Sequence, residues 1–217
     1  MKKFAFLFAG LLLATATAWA ADTAPARSEL KLSRFSLGAF LSYWNSADLG
    51  EFDLDGALGG GIIGRFRLGD FLALETRLSG YGAGETRDVS VQGEGYFEHT
   101  TTLAVMPLEA GLVAFLPLGD TFRLYGGPGV GFYLYDGEFT SEQGPRETTL
   151  DLDLDDDDGF YALFGAGARL ARNAELFLEG KYTWTETQVT NAGGWLDAGE
   201  EIDFSGLALS AGMIFTF

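Results

Sequence analysis

The sequence predicts an all-β chain, an eight-stranded antiparallel up-and-down transmembrane β-barrel with short periplasmic turns and long acidic extracellular loops. Three observations predict it. The chain closes on a strand-like run whose final residue is aromatic, Ser210-Ala211-Gly212-Met213-Ile214-Phe215-Thr216-Phe217. It opens on a three-part export signal, and eight alternating segments lie between. A frayed terminus in water has little use for a terminal phenylalanine. A closing barrel strand pairs on both sides and turns alternate apolar side chains to lipid.

Met1-Lys2-Lys3 is a short basic segment, Phe4 to Ala14 is apolar apart from Gly10, and Ala18-Trp19-Ala20 is a small-x-small cleavage site. This layout assigns residues 1–20 to a signal peptide cleaved after Ala20. The apolar run is shorter than the roughly 18–20 residues of a spanning helix. Residues 21–33 read as a periplasmic N-terminal lead-in and 34–217 as the outer-membrane β-barrel domain. The chain has no Cys, so it is neither a disulfide-stapled module nor anchored through a lipidated cysteine.

Alternation predicts strands at about 34–45, 56–68, 71–83, 99–117, 121–135, 159–171, 174–186 and 205–217. In the third, Leu72, Leu74 and Leu78 oppose Glu75, Arg77 and Ser79. In the fourth, Leu108, Ala110, Leu112, Ala114 and Leu116 oppose Glu109 and Gly111. In the seventh, Leu176, Leu178, Tyr182 and Trp184 oppose Glu175, Phe177, Glu179, Lys181 and Thr183. In the last, Leu207, Leu209, Ala211, Met213, Phe215 and Phe217 share a face. One face is apolar; the other mixes glycine, hydroxyls and charges. Each segment exceeds the roughly 9–11 residues that cross a bilayer as a tilted strand.

Tight turns are expected at Leu68-Gly69-Asp70, Leu118-Gly119-Asp120 and Arg172-Asn173. The remaining connections are long, about 46–55, 84–98, 136–158 and 187–204, and hold 23 of the 31 acids when Glu186 at the edge of the last is included. Short turns at one end and long loops at the other suit an outer-membrane barrel. Beyond residue 20 the chain keeps 12 Lys and Arg against 31 Asp and Glu, a net charge of −19. Such a surface repels nucleic acid. High glycine, 31 residues, suits twisted strands with small interior positions.

With the signal peptide, eight segments, asymmetric connections and Phe217 together, the chain resembles the small eight-stranded OmpA/OmpX-like bacterial outer-membrane β-barrel superfamily. Tyr125-Gly126-Gly127-Pro128-Gly129-Val130-Gly131-Phe132-Tyr133 looks like a central strand of that superfamily, as does Leu178-Glu179-Gly180-Lys181-Tyr182. The resemblance implies a C-terminal strand read through Phe217 by the barrel-insertion machinery, and contact with outer-membrane lipid and lipopolysaccharide. A soluble lipocalin-like barrel would show the same alternation with the faces reversed. The terminal aromatic and the loop asymmetry favour the membrane.

If the apolar faces meet lipid, Arg65, Arg67, Glu75, Arg77, Glu109, Arg123, Arg169, Glu175, Glu179 and Lys181 point inward. Eight strands leave little room beyond side chains, so these charges must pair. They form either a structural plug or a gate for ions and small solutes. His99, the one histidine, precedes Thr100-Thr101-Thr102 and has no His-x-Ser context, so a lipid A-modifying enzyme is not supported. Asp151-Leu152-Asp153-Leu154-Asp155 fails as a calcium loop, with Asp156 where glycine is needed and Ala162 where the closing acid is needed. Trp195 is either a loop-tip contact or part of a loop folded over the mouth. The sequence assigns no catalytic, cofactor-binding or metal residue and leaves any surface ligand open. It supports a non-enzymatic barrel with a structural or surface-interaction role, the alternatives being a narrow porin-like channel and a lipid A-modifying enzyme.

Overall fold

The computed structural model describes residues 34–46, 56–91, 95–143, 146–191 and 201–217. The expected signal peptide, the lead-in 21–33 and Trp195 lie outside them. The described strands are β1 Phe35–Ser46, β2 Ala57–Arg67, β3 Leu72–Val91, β4 Gly95–Leu118, β5 Phe122–Gln143, β6 Arg146–Leu154, β7 Asp157–Arg169, β8 Ala174–Trp184, β9 Glu186–Asn191, β10 Glu201–Asp203 and β11 Gly206–Thr216.

Eight of these close a barrel in the order β1-β2-β3-β4-β5-β7-β8-β11, with β11 returning to β1 and every pairing antiparallel. The closing seam runs without slip from Ser36 opposite Thr216 to Ser46 opposite Gly206. Each expected segment becomes one barrel strand. The expected turns join β2 to β3, β4 to β5 and β7 to β8. Gly119 turns the second with φ +77°, a conformation that favours glycine.

The long connections are not all loop. β3 and β5 run eight residues past their expected ends, β4 begins four residues before its expected start, and β6, β9 and β10 form within segments read as loops. β4 alone has 24 residues, about 80 Å of extended chain, of which a bilayer needs less than half. The strands therefore stand beyond the membrane as an extracellular sheet. Charge misled the reading here, because Thr148-Thr149-Leu150-Asp151-Leu152-Asp153-Leu154 is β-branched and alternates with period two. Register sets Thr86, Thr100, Thr140 and Thr149 side by side on four strands. Hydroxyl pairs Thr86–Thr100 at 3.0 Å and Thr140–Thr149 at 3.3 Å stitch it together.

Alternation becomes burial as expected. Leu72, Leu74, Leu78, Leu108, Leu112, Leu116, Leu176, Leu178, Leu207 and Leu209 are exposed, while Glu75, Arg77, Glu109, Phe177, Glu179 and Lys181 are buried. Leucines facing outward and charges inward are the reverse of a soluble barrel. Exposed Phe35, Phe66, Phe71, Phe122 and Phe217 ring the turn end, and Tyr43, Tyr182 and Trp184 lie further up the outer face.

The inner face is more aromatic than its sequence pattern suggested. A lower cluster contains Phe40, Phe115, Tyr125, Tyr161 and Phe177, and an upper one Trp44, Tyr81, Tyr133, Tyr135 and Phe204. Glycine makes room for these rings. A Cβ on Gly129 would stand 2.1 Å from the Tyr161 ring, and one on Gly165 2.5 Å from that of Tyr125.

Candidate functional site: the charged lumen

Strand register starts the network at the centre. Arg65 of β2 stands opposite Glu75 of β3, and its Nε donates to Glu75 Oε2. Two residues along β3, period two returns Arg77 to the same face, where its Nε donates to Glu75 Oε1 at 2.7 Å. Arg77 then crosses the lumen. Its Nη1 and Nη2 donate to Glu179 Oε1 and Oε2 of β8 at 2.5 and 2.6 Å. β3 and β8 are four strands apart in either direction around the barrel, so this fork spans the diameter.

A second bridge lies beside the first. Arg77 faces Glu109 of β4 in register, yet Glu109 pairs across the lumen with Lys181 of β8. Tyr133 OH donates to the same Glu109 oxygen, Oε1, at 2.9 Å. All six of these charged residues are buried. In so dry a place each charge needs a partner, because an isolated one costs several kcal/mol. Aromatic faces add to the pairing. The Arg65 guanidinium lies 4.5 Å from the Tyr125 ring centre, and Lys181 Nζ 5.4 Å from that of Tyr161.

Buried polar atoms without a hydrogen-bond partner include Arg65 Nη1 and Nη2, Ser79 Oγ, Glu109 Oε2, Tyr125 OH and Tyr161 OH, though Arg65 Nη2 lies 4.0 Å from Glu179 Oε2. A cavity of about 10 Å³ bordered by Tyr81, Tyr133, Lys181 and Thr183 is the size of a single water. Above it, Phe204 is fully buried and stacks on Tyr135 with ring centres 5.0 Å apart. Ser46 Oγ donates to the Asp203 carbonyl at 3.2 Å, and Ser205 bonds Thr185. The segment entering β11 thus continues the wall between β1 and β8, and the Phe204 ring fills the upper end of the lumen.

The ten expected inward charges fall into two groups. Arg65, Glu75, Arg77, Glu109, Glu179 and Lys181 form the central network. Arg67, Arg123, Arg169 and Glu175 line the periplasmic mouth instead. There Arg123 holds Glu175 through Nε at 2.9 Å and Nη2 at 2.7 Å, while Arg169 is exposed. These four sit at strand ends, where the barrel opens to water. The aromatic ring partners were missed, although the parity of Tyr125 with Arg123 on β5 and of Tyr161 with Arg169 on β7 was the available signal. His99 lies in β4 opposite Arg87 and Ser141. Asp151 and Asp153 lie in β6. Among the described residues, no three His, Asp or Glu side chains gather in a way that could hold a metal ion.

A closed antiparallel barrel, leucine outside and ion pairs within, defines an integral membrane β-barrel protein. The family described as outer membrane protein beta-barrel domain matches residues 6–215, and the chain belongs to it. Its place is accordingly the bacterial outer membrane. The fold is similar to that of Neisserial surface protein A, at 13% identity and TM-score 0.54, covering 85% of this chain and 98% of that one. It is also similar to outer membrane protein AlkL determined in DMPC lipid bilayers, at 17% identity and TM-score 0.52, covering 91% of this chain and 96% of that one. No curated protein sequence matches the chain.

Proposed function

We propose that this protein is a non-enzymatic outer-membrane barrel whose lumen is shut and whose work is done at its surface. The observation that carries this reading is the Arg77–Glu179 fork across the full width of the barrel. The Lys181–Glu109 bridge beside it and the Phe204 ring above it support the same closure. The strands that rise beyond the membrane supply a broad sheet in place of short loops. Export involves cleavage after Ala20, assembly uses the C-terminal strand ending in Phe217, and lipopolysaccharide surrounds the outer half. A nucleophile with a positioned base is not found among the described side chains of the lumen, which favours a role without catalysis.

A channel is the second reading. The open periplasmic mouth favours it, since a shift of the Phe204 ring and the breaking of one fork would open a path. Planar-bilayer conductance and a permeability assay on a deletion strain test both readings. Absence of steady conductance with altered surface binding supports the first, and a solute-specific permeability loss supports the second.

A further inference from the structure

The periplasmic mouth holds a cavity of about 140 Å³, room for roughly five waters at about 30 Å³ each. Its wall includes Arg67, Arg169, Asp70, Asp120 and the Arg123–Glu175 pair. That pair neutralises itself, with both Arg123 Nε and Nη2 on Glu175 Oε1. Arg169 is the register neighbour of Glu175 and loses it to Arg123. Among the described residues, Arg67, Arg169, Asp70 and Asp120 make no ion pair. Among the described residues, two guanidiniums and two carboxylates thus border one cavity without an ion pair between them.

Such a wall fits neither a simple anion nor a simple cation, since each would meet two like charges. It fits a small dipolar group. The guanidinium fork matches phosphate oxygens in geometry, and a carboxylate matches an ammonium. Phe122 is both part of the cavity wall and exposed among the outward aromatic residues at the turn end of the barrel. The cavity is therefore continuous with the surface that meets inner-leaflet headgroups.

We propose that this mouth binds a phosphodiester with a tethered ammonium, the headgroup chemistry of phosphatidylethanolamine. Arg67 and Arg169 take the phosphate; Asp70 and Asp120 take the ammonium. The group comes either from a lipid of the inner leaflet or from a free glycerophosphodiester in the periplasm.

The test is native mass spectrometry of the detergent-solubilised protein, titrated with phosphatidylethanolamine, phosphatidylglycerol and free glycerophosphoethanolamine. The wild type should retain phosphatidylethanolamine over phosphatidylglycerol. The pair Arg67→Gln and Arg169→Gln should lower that retention by about tenfold or more, the loss of at least one charge-assisted hydrogen bond. The pair Asp70→Asn and Asp120→Asn should erase the preference while phosphatidylglycerol is still retained. Arg172→Gln, on the rim outside the cavity, should change nothing. Competition by glycerophosphoethanolamine identifies the free headgroup as sufficient, and its failure to compete assigns the site to the intact lipid. Equal retention of both lipids by the wild type, or unchanged retention in the Arg67→Gln, Arg169→Gln protein, overturns the proposal. Asp120→Asn alone, in a turn, keeps the test open should a double variant fail to fold.

Discussion

Arg77 and Glu179 stand on strands half a barrel apart and meet in a two-pronged bond of 2.5 and 2.6 Å across the lumen. Arg77 also holds Glu75, which in turn holds Arg65. One guanidinium thus ties β2, β3 and β8 together through the interior. Removing one partner strands a buried charge. Arg77→Met or Glu179→Leu should each cost roughly 3–5 kcal/mol. The double variant Arg77→Met, Glu179→Leu should recover much of that loss, because no unpaired fork remains. Urea unfolding in lipid vesicles measures both; additive losses would show that the two residues act independently.

The second prediction concerns ring packing. Gly129 leaves the space that Tyr161 fills. Tyr161 is buried, so its ring cannot swing into water. Gly129→Ala should cost about 1–3 kcal/mol through overpacking. In a Tyr161→Leu background the same change should cost much less. Equal costs in both backgrounds would remove the glycine–tyrosine fit from the account.

The architecture was legible because lipid imposes a strict rule. Outward residues must be mostly apolar, so the leucines of β3, β4, β8 and β11 announced both strand and face. The inward charges were legible for the same reason. Which charges pair was not legible, because register and diameter decide it. Arg77 has Glu109 as its cross-strand neighbour, and only the closed barrel brings it to Glu179 instead. The inward aromatics were hidden by their company along β5, where Tyr125 and Tyr133 alternate with Gly127, Gly129 and Gly131 and no apolar run marks the inner face. The extracellular strands were hidden by their acids. β6 carries Asp151 and Asp153 on a segment whose alternation outweighs their low strand propensity.

Assembly supplies the third prediction. The Phe217 backbone N–H donates to Phe35 O at 3.0 Å, while its side chain is exposed toward lipid. Phe217→Asp should therefore cost the folded barrel only about 1 kcal/mol or less, as expected near a membrane interface. If the insertion machinery reads the terminal aromatic, the same change should lower the amount of assembled barrel in cells severalfold. Comparison of refolded stability with outer-membrane abundance separates the two effects. Wild-type abundance would show that Phe217 is not read.

A fourth prediction concerns the extracellular sheet. Register places Asp88, Glu98, Glu142 and Glu147 at successive paired positions on β3, β4, β5 and β6. Like charges at opposed positions weaken a sheet, and salt screens them over about 8 Å at physiological ionic strength. Raising ionic strength should slow proteolysis of the β5–β6 hairpin, and sodium should do so as well as millimolar calcium at matched ionic strength. Protection by calcium alone, lost on changing Asp155–Asp158 to Asn, would instead assign a specific cation role.

If paired charges hold the lumen shut, single-barrel recording in planar bilayers shows it without intermediates. The wild type should show no steady conductance. The variant Arg77→Ala, Glu179→Ala removes the fork across the diameter and should show measurable openings if it remains folded. A persistent open current through the unaltered protein would contradict the account and establish the channel reading in its place.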